Sequence, residues 1–219
     1  MEPCCGPPNP DAYDAVFDRR FAARVARRYG ARGPSGVERR LLEFLVDSGI
    51  EGATVLEIGG GVGELQLELL ARGAARTVNL ELSHEYEADA TRLLTAAGVQ
   101  DRVTRLVGVD VATDPVAVDS ADIVVLNRVV CCYPDAERLL AAAAGRAKRT
   151  LAYSHPRRNW FTRARVALEN RLRRESLRGF RAYIHRPEAM LDAVRGQGFA
   201  IVRDQRGLAW STVGALRMR

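Results

Sequence analysis

TVLEIGGGVGELQLELL, residues 54–70, changes character twice. Thr54 to Ile58 is an apolar, β-rich run interrupted only by Glu57; glycines dominate from Gly59 to Gly63; leucines then return at helical spacing from Glu64 to Leu70. Strand, glycine loop and helix in that order put bare backbone at the strand's carboxyl end, where a ligand can approach without meeting a Cβ. A nucleotide-like ligand is the first expectation.

The rhythm continues on both sides of this stretch. Strands are expected at 76–81, 102–107, 121–126 and 149–154, alternating with helices at 63–72, 84–97 and 135–146. Runs such as Ile123-Val124-Val125-Leu126 are apolar without alternation, the mark of a parallel strand covered on both faces. Upstream, Val16, Phe17, Phe21 and Val25 predict one helix over 11–29, and Ser35 with Glu38 three residues later predicts a capped second helix that Gly49 stops. Downstream, a helix over 157–179 carries Phe161, Ala164, Leu168 and Leu172 on one stripe, a further helix covers 187–196, and strands at 199–204 and 208–216 meet at Gly207. The expected fold is α/β: a doubly wound, mostly parallel seven-stranded sheet, with N-terminal helices and a helical insertion before a C-terminal hairpin. One domain spans 1–219, divided into an N-terminal lid (1–50), a cofactor-binding core (51–154), a basic insertion (155–186) and a closing helix and hairpin (187–219).

Composition narrows the class. No run of about 18 apolar residues is present and the N-terminus has neither a basic start nor an apolar signal core, so a soluble, cytoplasmic protein is expected. The cysteines form two adjacent pairs, Cys4-Cys5 and Cys131-Cys132, neither a secreted disulfide framework nor a zinc-finger spacing. The net charge of +6 is local in origin: ten arginines against Glu169 and Glu175 between Arg157 and Arg186 leave the rest of the chain slightly acidic.

Glu81 follows Gly59 by 22 residues at the end of the next strand, where a carboxylate can accept bonds from ribose hydroxyls. The glycine register, Glu57-x-Gly59-x-Gly61-x-Gly63, differs from the G-x-G-x-x-G of dinucleotide folds, and no Gly-Lys-Ser/Thr follows as in a phosphate-binding P-loop. This arrangement resembles motif I of the class I S-adenosylmethionine-dependent methyltransferases, with the likeness running from about Thr54 to Ser154. The resemblance implies that Glu57, Gly59, Gly60, Gly61 and Gly63 surround the methionine part of S-adenosylmethionine, that Glu81 binds ribose, and that Asp110 in VGVD lies near the adenine amino group. Leu82 and Val111 would flank the adenine, with Asn127 also on the cofactor.

The acceptor is read from the fourth strand's end, LNRVVCCYPD, residues 126–135. Asn127-Arg128-Val129-Val130 is not the Asn/Asp-Pro-Pro-Tyr motif of enzymes that methylate amino groups of bases or glutamine, and Cys131-Cys132 lacks the proline partner of cytosine C5 chemistry. Small-molecule oxygen or carboxylate acceptors gain ground, and a carboxylate needs no base. Motif I, CCYPD and the arginine-rich segment after SHPRRNWF also look similar to bacterial relatives of the magnesium-protoporphyrin O-methyltransferases. On this reading Tyr13 and Phe17 cover the site as part of a lid, Arg128, Arg157 and Arg158 meet substrate carboxylates, and His155 and Tyr133 are the catalytic candidates, beyond the fifth and fourth strands.

Other readings stay open. The basic insertion could contact RNA, making the protein an RNA methyltransferase or binder, although nucleic acid is the less expected partner. It could also lie on an anionic membrane surface. The fold could serve a regulatory cofactor-binding subunit or an enzyme of the decarboxylated cofactor. No metal is expected, but an N-terminal arm folded over the site would bring Cys4 and Cys5 towards Cys131 and Cys132, a possible thiolate site for a metal or arsenic; as an alternative, such cysteines are small buried hydrophobes. The sequence leaves the oligomeric state open.

Overall fold

In the computed structural model, which describes residues 10–173 and 180–218, seven strands form one sheet in the order β3-β2-β1-β4-β5-β7-β6. β1 (Thr54–Ile58) pairs in parallel with β2 (Arg76–Glu81) on one side and β4 (Ala121–Leu126) on the other; β3 (Val103–Val107) and β5 (Ala147–Pro156) extend it outwards, also in parallel. β7 (Trp210–Arg217) enters antiparallel beside β5, and β6 (Phe199–Arg206) closes the edge. The chain reverses its winding between β1 and β4, and the carboxyl ends on either side of that point splay into a crevice.

Both faces are covered because both faces are apolar. α3 (Gly36–Asp47) and α4 (Glu64–Ala71) pack Leu41, Leu45, Leu65 and Leu69 against Val55, Ile123 and Val125 on one side. On the other, α6 (Ala136–Arg146) and α8 (Pro187–Arg195) pack Leu139, Leu140, Met190 and Val194 against Leu56, Val124, Leu126 and Tyr153. α5 (Glu87–Ala97), preceded by a 3-10 turn at His84–Tyr86, meets the N-terminal helix that spans Arg19–Arg32.

The segment expected as one helix over 11–29 is two, α1 (Pro10–Val16) and α2 (Arg19–Arg32). Asp18 is the reason: its carboxylate accepts the Phe21 N–H at 2.8 Å, capping a new helix instead of continuing the old one. The break lets α1 cross the sheet edge, pinned by Ser83 Oγ and His84 N–H donating to Asp14 (2.7 and 2.8 Å) and by Tyr13 Oη donating to the Cys132 carbonyl at 2.7 Å. The capping box foreseen at Ser35 and Glu38 is present in full. In the insertion, α7 runs from Trp160 to Arg173. The last part of its expected span lies outside the described residues, and 180–186 carry no helix. The hairpin turns at Gly207, as expected.

Candidate functional site

The crevice holds a cleft of about 190 Å³ at the carboxyl ends of β1, β2 and β4, roofed by α1 and α2. Its floor is the glycine loop. Gly59, Gly61 and Gly63 have φ of 68°, 53° and 85°, the left-handed region that only glycine enters freely. The loop is held from below on three sides. Asn79 Oδ1 accepts the Gly60 N–H at 2.9 Å, Glu81 Oε2 accepts the Gly61 N–H at 2.9 Å, and Arg105 of β3 donates to the Gly61 carbonyl at 2.7 Å while bonding Glu87 and Gln66.

Around this loop the cleft is acidic: Glu38, Glu57, Glu64 and Glu81 all line it. Glu57 and Glu64 each bury an Oε2 that has no hydrogen-bond partner among the described residues. Burial, reinforced by the negative charge of Glu64, holds Glu57 well above the ordinary carboxylate range. Burial likewise pushes Glu64 from 4.5 to about 7, and it raises Glu81 against the opposing bonds from Ser83, Gly61 and Leu82. Arg28, 3.6 Å from Glu38, and Arg128 line the same cleft and offset part of this charge; with four glutamates against these two arginines, the site suits a ligand that brings positive charge.

Glu64 gives a stability prediction. Its folded-state pKa lies above its unfolded value, so its contribution is fully favourable below pH 4.5 and is lost as pH rises through about 7. Glu64 by itself is expected to cost the unliganded protein on the order of 3 kcal/mol across that window, and Glu64→Gln to make the slope shallower in urea titrations by that share, with Glu57 and Glu81 supplying the rest. An equally steep slope in the variant would assign the loss to another group.

The other expected residues fall into two groups. Tyr13, Phe17, Leu82, Asp110, Val111, Asn127, Arg128 and Tyr133 line the cleft with Glu57, Gly59, Gly60, Gly61 and Glu81; Gly63 instead caps α4 beneath the loop. Asp110 accepts the Tyr133 hydroxyl at 2.8 Å and the Ala112 N–H at 2.9 Å. Burial and that bond hold the Tyr133 phenol well above its ordinary pKa, so it acts as a donor and not as a base.

His155, Arg157 and Arg158 do not line the cleft. Alternation along β5 decides this. Ser154 points to the crevice, where its Oγ accepts the Arg128 N–H and donates to Asn127. His155 therefore points to the opposite face, packed by Tyr153 and bonded through Nδ1 to the Pro156 carbonyl, and burial lowers its pKa. Arg157 serves the hairpin, donating to the carbonyls of Ala209 and Gly207, and Arg158 is exposed.

Arg128 is the one described non-glycine residue with positive φ, 60°. A bulky residue there is strained, and the surroundings enforce it: its N–H is tied to Ser154, and its guanidinium lies 5.4 Å over the Trp210 ring. Cys132 also lines the cleft, its Sγ 3.5 Å from that of Cys131. Cys4 and Cys5 lie outside the described residues, and no metal-binding cluster of His, Cys, Asp or Glu occurs among those described.

Sequence reasoning missed Arg105, Asn79, Glu64, Ser154 and Tyr86 as parts of this site, and saw Glu38 only as a cap. Glu38 in fact caps α3 and accepts Asn127 Nδ2 at 3.2 Å. Glu64, first residue of the helix after the loop, could have been found from position alone. Arg105 could not, since a strand residue gives no sign that it reaches the neighbouring loop.

A methyltransferase-domain family model matches residues 22–204, and the chain belongs to that family. No curated protein matches the chain. Among solved structures, it is similar to magnesium protoporphyrin IX methyltransferase (ChlM) from Synechocystis PCC 6803 with bound SAH, at TM-score 0.67 and 19% identity over 95% of this chain and 94% of that one. It is also similar to an O-methyltransferase family protein from Burkholderia thailandensis (TM-score 0.69, 18% identity, covering 93% and 61%) and to human N-acetylserotonin methyltransferase (0.65, 16%, covering 94% and 57%). The seven-stranded sheet with its antiparallel C-terminal hairpin is thus the Rossmann-like methyltransferase fold.

Proposed function

We propose that the cleft binds S-adenosylmethionine and that the protein transfers its methyl group to an oxygen, most directly a carboxylate, of a small molecule. The observation that carries this reading is the pair of carboxylates Glu57 and Glu64, each with a buried Oε2 that no described residue bonds, beside three backbone-exposing glycines. The cofactor supplies a methyl group on a sulfonium, which with its ammonium gives the positive charge these residues lack. Glu57, Glu64 and the loop from Gly59 to Gly61 would hold the methionine part, Glu81 the ribose, and Asp110, steadied by Tyr133, the adenine between Leu82 and Val111.

Positioning is what remains for the protein to provide, because the electrophile is already activated. Tyr13, Phe17, Phe21 and Tyr86 line the cleft with aromatic rings and would limit the entry of water once the cofactor is bound. Arg128, held in place by its strained backbone, would orient an anionic acceptor. The folds similar to this one include a methyltransferase named for a carboxylate-bearing porphyrin, so porphyrin carboxylates are the first acceptors to try.

Calorimetric titration with S-adenosylmethionine and S-adenosylhomocysteine tests the cofactor. Micromolar binding is expected, tightening as pH rises through about 7 while Glu64 ionises, and folded protein that binds neither compound would overturn the reading. Arg128→Leu tests the acceptor. It is expected to raise KM for a carboxylate acceptor about tenfold to a hundredfold, one lost charge-assisted interaction, with a smaller change in cofactor affinity through the lost charge near Glu64. An unchanged KM would remove Arg128 from the acceptor site.

A further inference from the structure

α7 presents its apolar side outwards. Phe161, Leu168 and Leu172 are 60%, 57% and 69% exposed, and with exposed Ala164 they recur at intervals of three, four and four residues, a single stripe along the helix. At 100° per residue Arg165 falls on one border of that stripe and Arg171 on the other, both exposed. Trp160, 81% exposed, stands at the helix start with its ring edge-on to Phe161. The opposite side is the one that meets the protein: Thr162 is buried, and Asn170 exchanges two hydrogen bonds of 2.9 Å with the backbone of Ala182. An ordinary surface helix buries its apolar stripe, and this one turns it to solvent.

We infer that α7 docks the protein on an anionic lipid surface, with the Phe161–Leu172 stripe at the acyl boundary and the flanking arginines on lipid phosphates. Charge complementarity selects this occupant. The segment from Arg157 to Arg186 carries ten arginines against two glutamates, which repels a second copy of itself and attracts an anionic interface, while an aromatic at the helix start and apolar residues along one stripe match the interfacial pattern. Nucleic acid would use the arginines but leave the apolar stripe in water. The docking helix is coupled to the cleft. Phe180, two residues before Ala182, packs edge-on against Tyr13 and Phe17 at 5.7 and 5.5 Å, and both of those rings line the cleft. A protein held by α7 would therefore take an amphiphilic acceptor from the lipid surface.

Flotation of the full-length chain on vesicles tests this without cofactor or acceptor, so its failure is separate from failure of the methyltransferase reading. The chain is expected to float with vesicles of phosphatidylcholine and phosphatidylglycerol in equal parts and not with phosphatidylcholine alone, and high salt should release it. Leu168→Ser with Leu172→Ser should lower the partition about tenfold or more, and Arg171→Gln about fivefold. These side chains are exposed, so folding is expected to survive, and circular dichroism checks it. Failure of the folded parent to float on anionic vesicles would overturn the inference, as would flotation that the serine variant retains. Salt-sensitive RNA retention or self-association lost in the same serine variant, without flotation, would give the helix to that other partner.

Discussion

Gly60→Ala is expected to weaken S-adenosylmethionine binding about a hundredfold, or close to 3 kcal/mol, and to lower stability by about 2 kcal/mol. Backbone conformation is not the cause, because Gly60 is absent from the glycines with positive φ. Space is. A Cβ at Gly60 would stand 2.6 Å from Asn79 Oδ1, 2.6 Å from Glu57 Oε2 and 2.7 Å from Glu57 Cδ. Both neighbours are fully buried, on β2 and β1, so neither can step aside and the loop must lift. Lifting breaks the Gly60 bond to Asn79 and displaces the amides proposed to face the cofactor, and a misplacement near 1 Å costs on the order of a hundredfold. Gly30→Ala is the matched control. It lies in α2, is exposed, and its Cβ would meet nothing within 4 Å, so it should be neutral or slightly stabilising. Calorimetry and thermal melting of the pair decide the matter: unchanged binding in Gly60→Ala would mean that the loop does not carry the cofactor.

Glu81→Ala carries the second large effect. One carboxylate accepts the N–H groups of Gly61, Leu82 and Ser83, at 2.9, 2.9 and 3.0 Å, and so ties the glycine loop to the end of β2. Alanine leaves three amides without their acceptor, and bonds to a charged acceptor contribute about 1.5–3 kcal/mol each. A stability loss on the order of 3 kcal/mol is expected, with cofactor affinity reduced a hundredfold or more because the loop and the proposed ribose contact fail together. Glu81→Gln keeps an acceptor oxygen and should fall between. Were Glu81→Ala destabilised yet able to bind with parental affinity below its melting range, Glu81 would be a brace for the loop and not a cofactor ligand.

The pattern of these effects reflects how the site is assembled. Its floor is local: strand, loop and helix are contiguous, their periods differ, and each glycine stands where the chain must turn, so Gly59 to Gly63 and Glu81 were readable in order. The roof and the braces are not local. Asp18 breaks the N-terminal helix, and only the resulting crossing of α1 brings Tyr13 to the Cys132 carbonyl, 119 residues away. Arg105 reaches Gly61 across a strand pairing, and Ser154 reaches Asn127 across another; neither residue type nor spacing announces either contact. His155 illustrates the opposite failure. Its place after the fifth strand fitted a site residue, but strand alternation gives adjacent residues opposite faces, and the face toward the crevice belongs to Ser154.

Sequence alone therefore determined the order of the elements, the parallel sheet, the glycine loop and the acid at the end of the second strand, because these follow from short-range periodicity and from the conformations that glycine permits. Tertiary structure decided which carboxylates lose their water, which face of β5 meets the cleft, and which side of α7 is left in solvent. Burial and orientation are properties of the packed chain: Glu64 is an ordinary carboxylate until α4 places it inside the cleft, and the apolar stripe of α7 is an ordinary core stripe until Asn170 turns its other side to the protein.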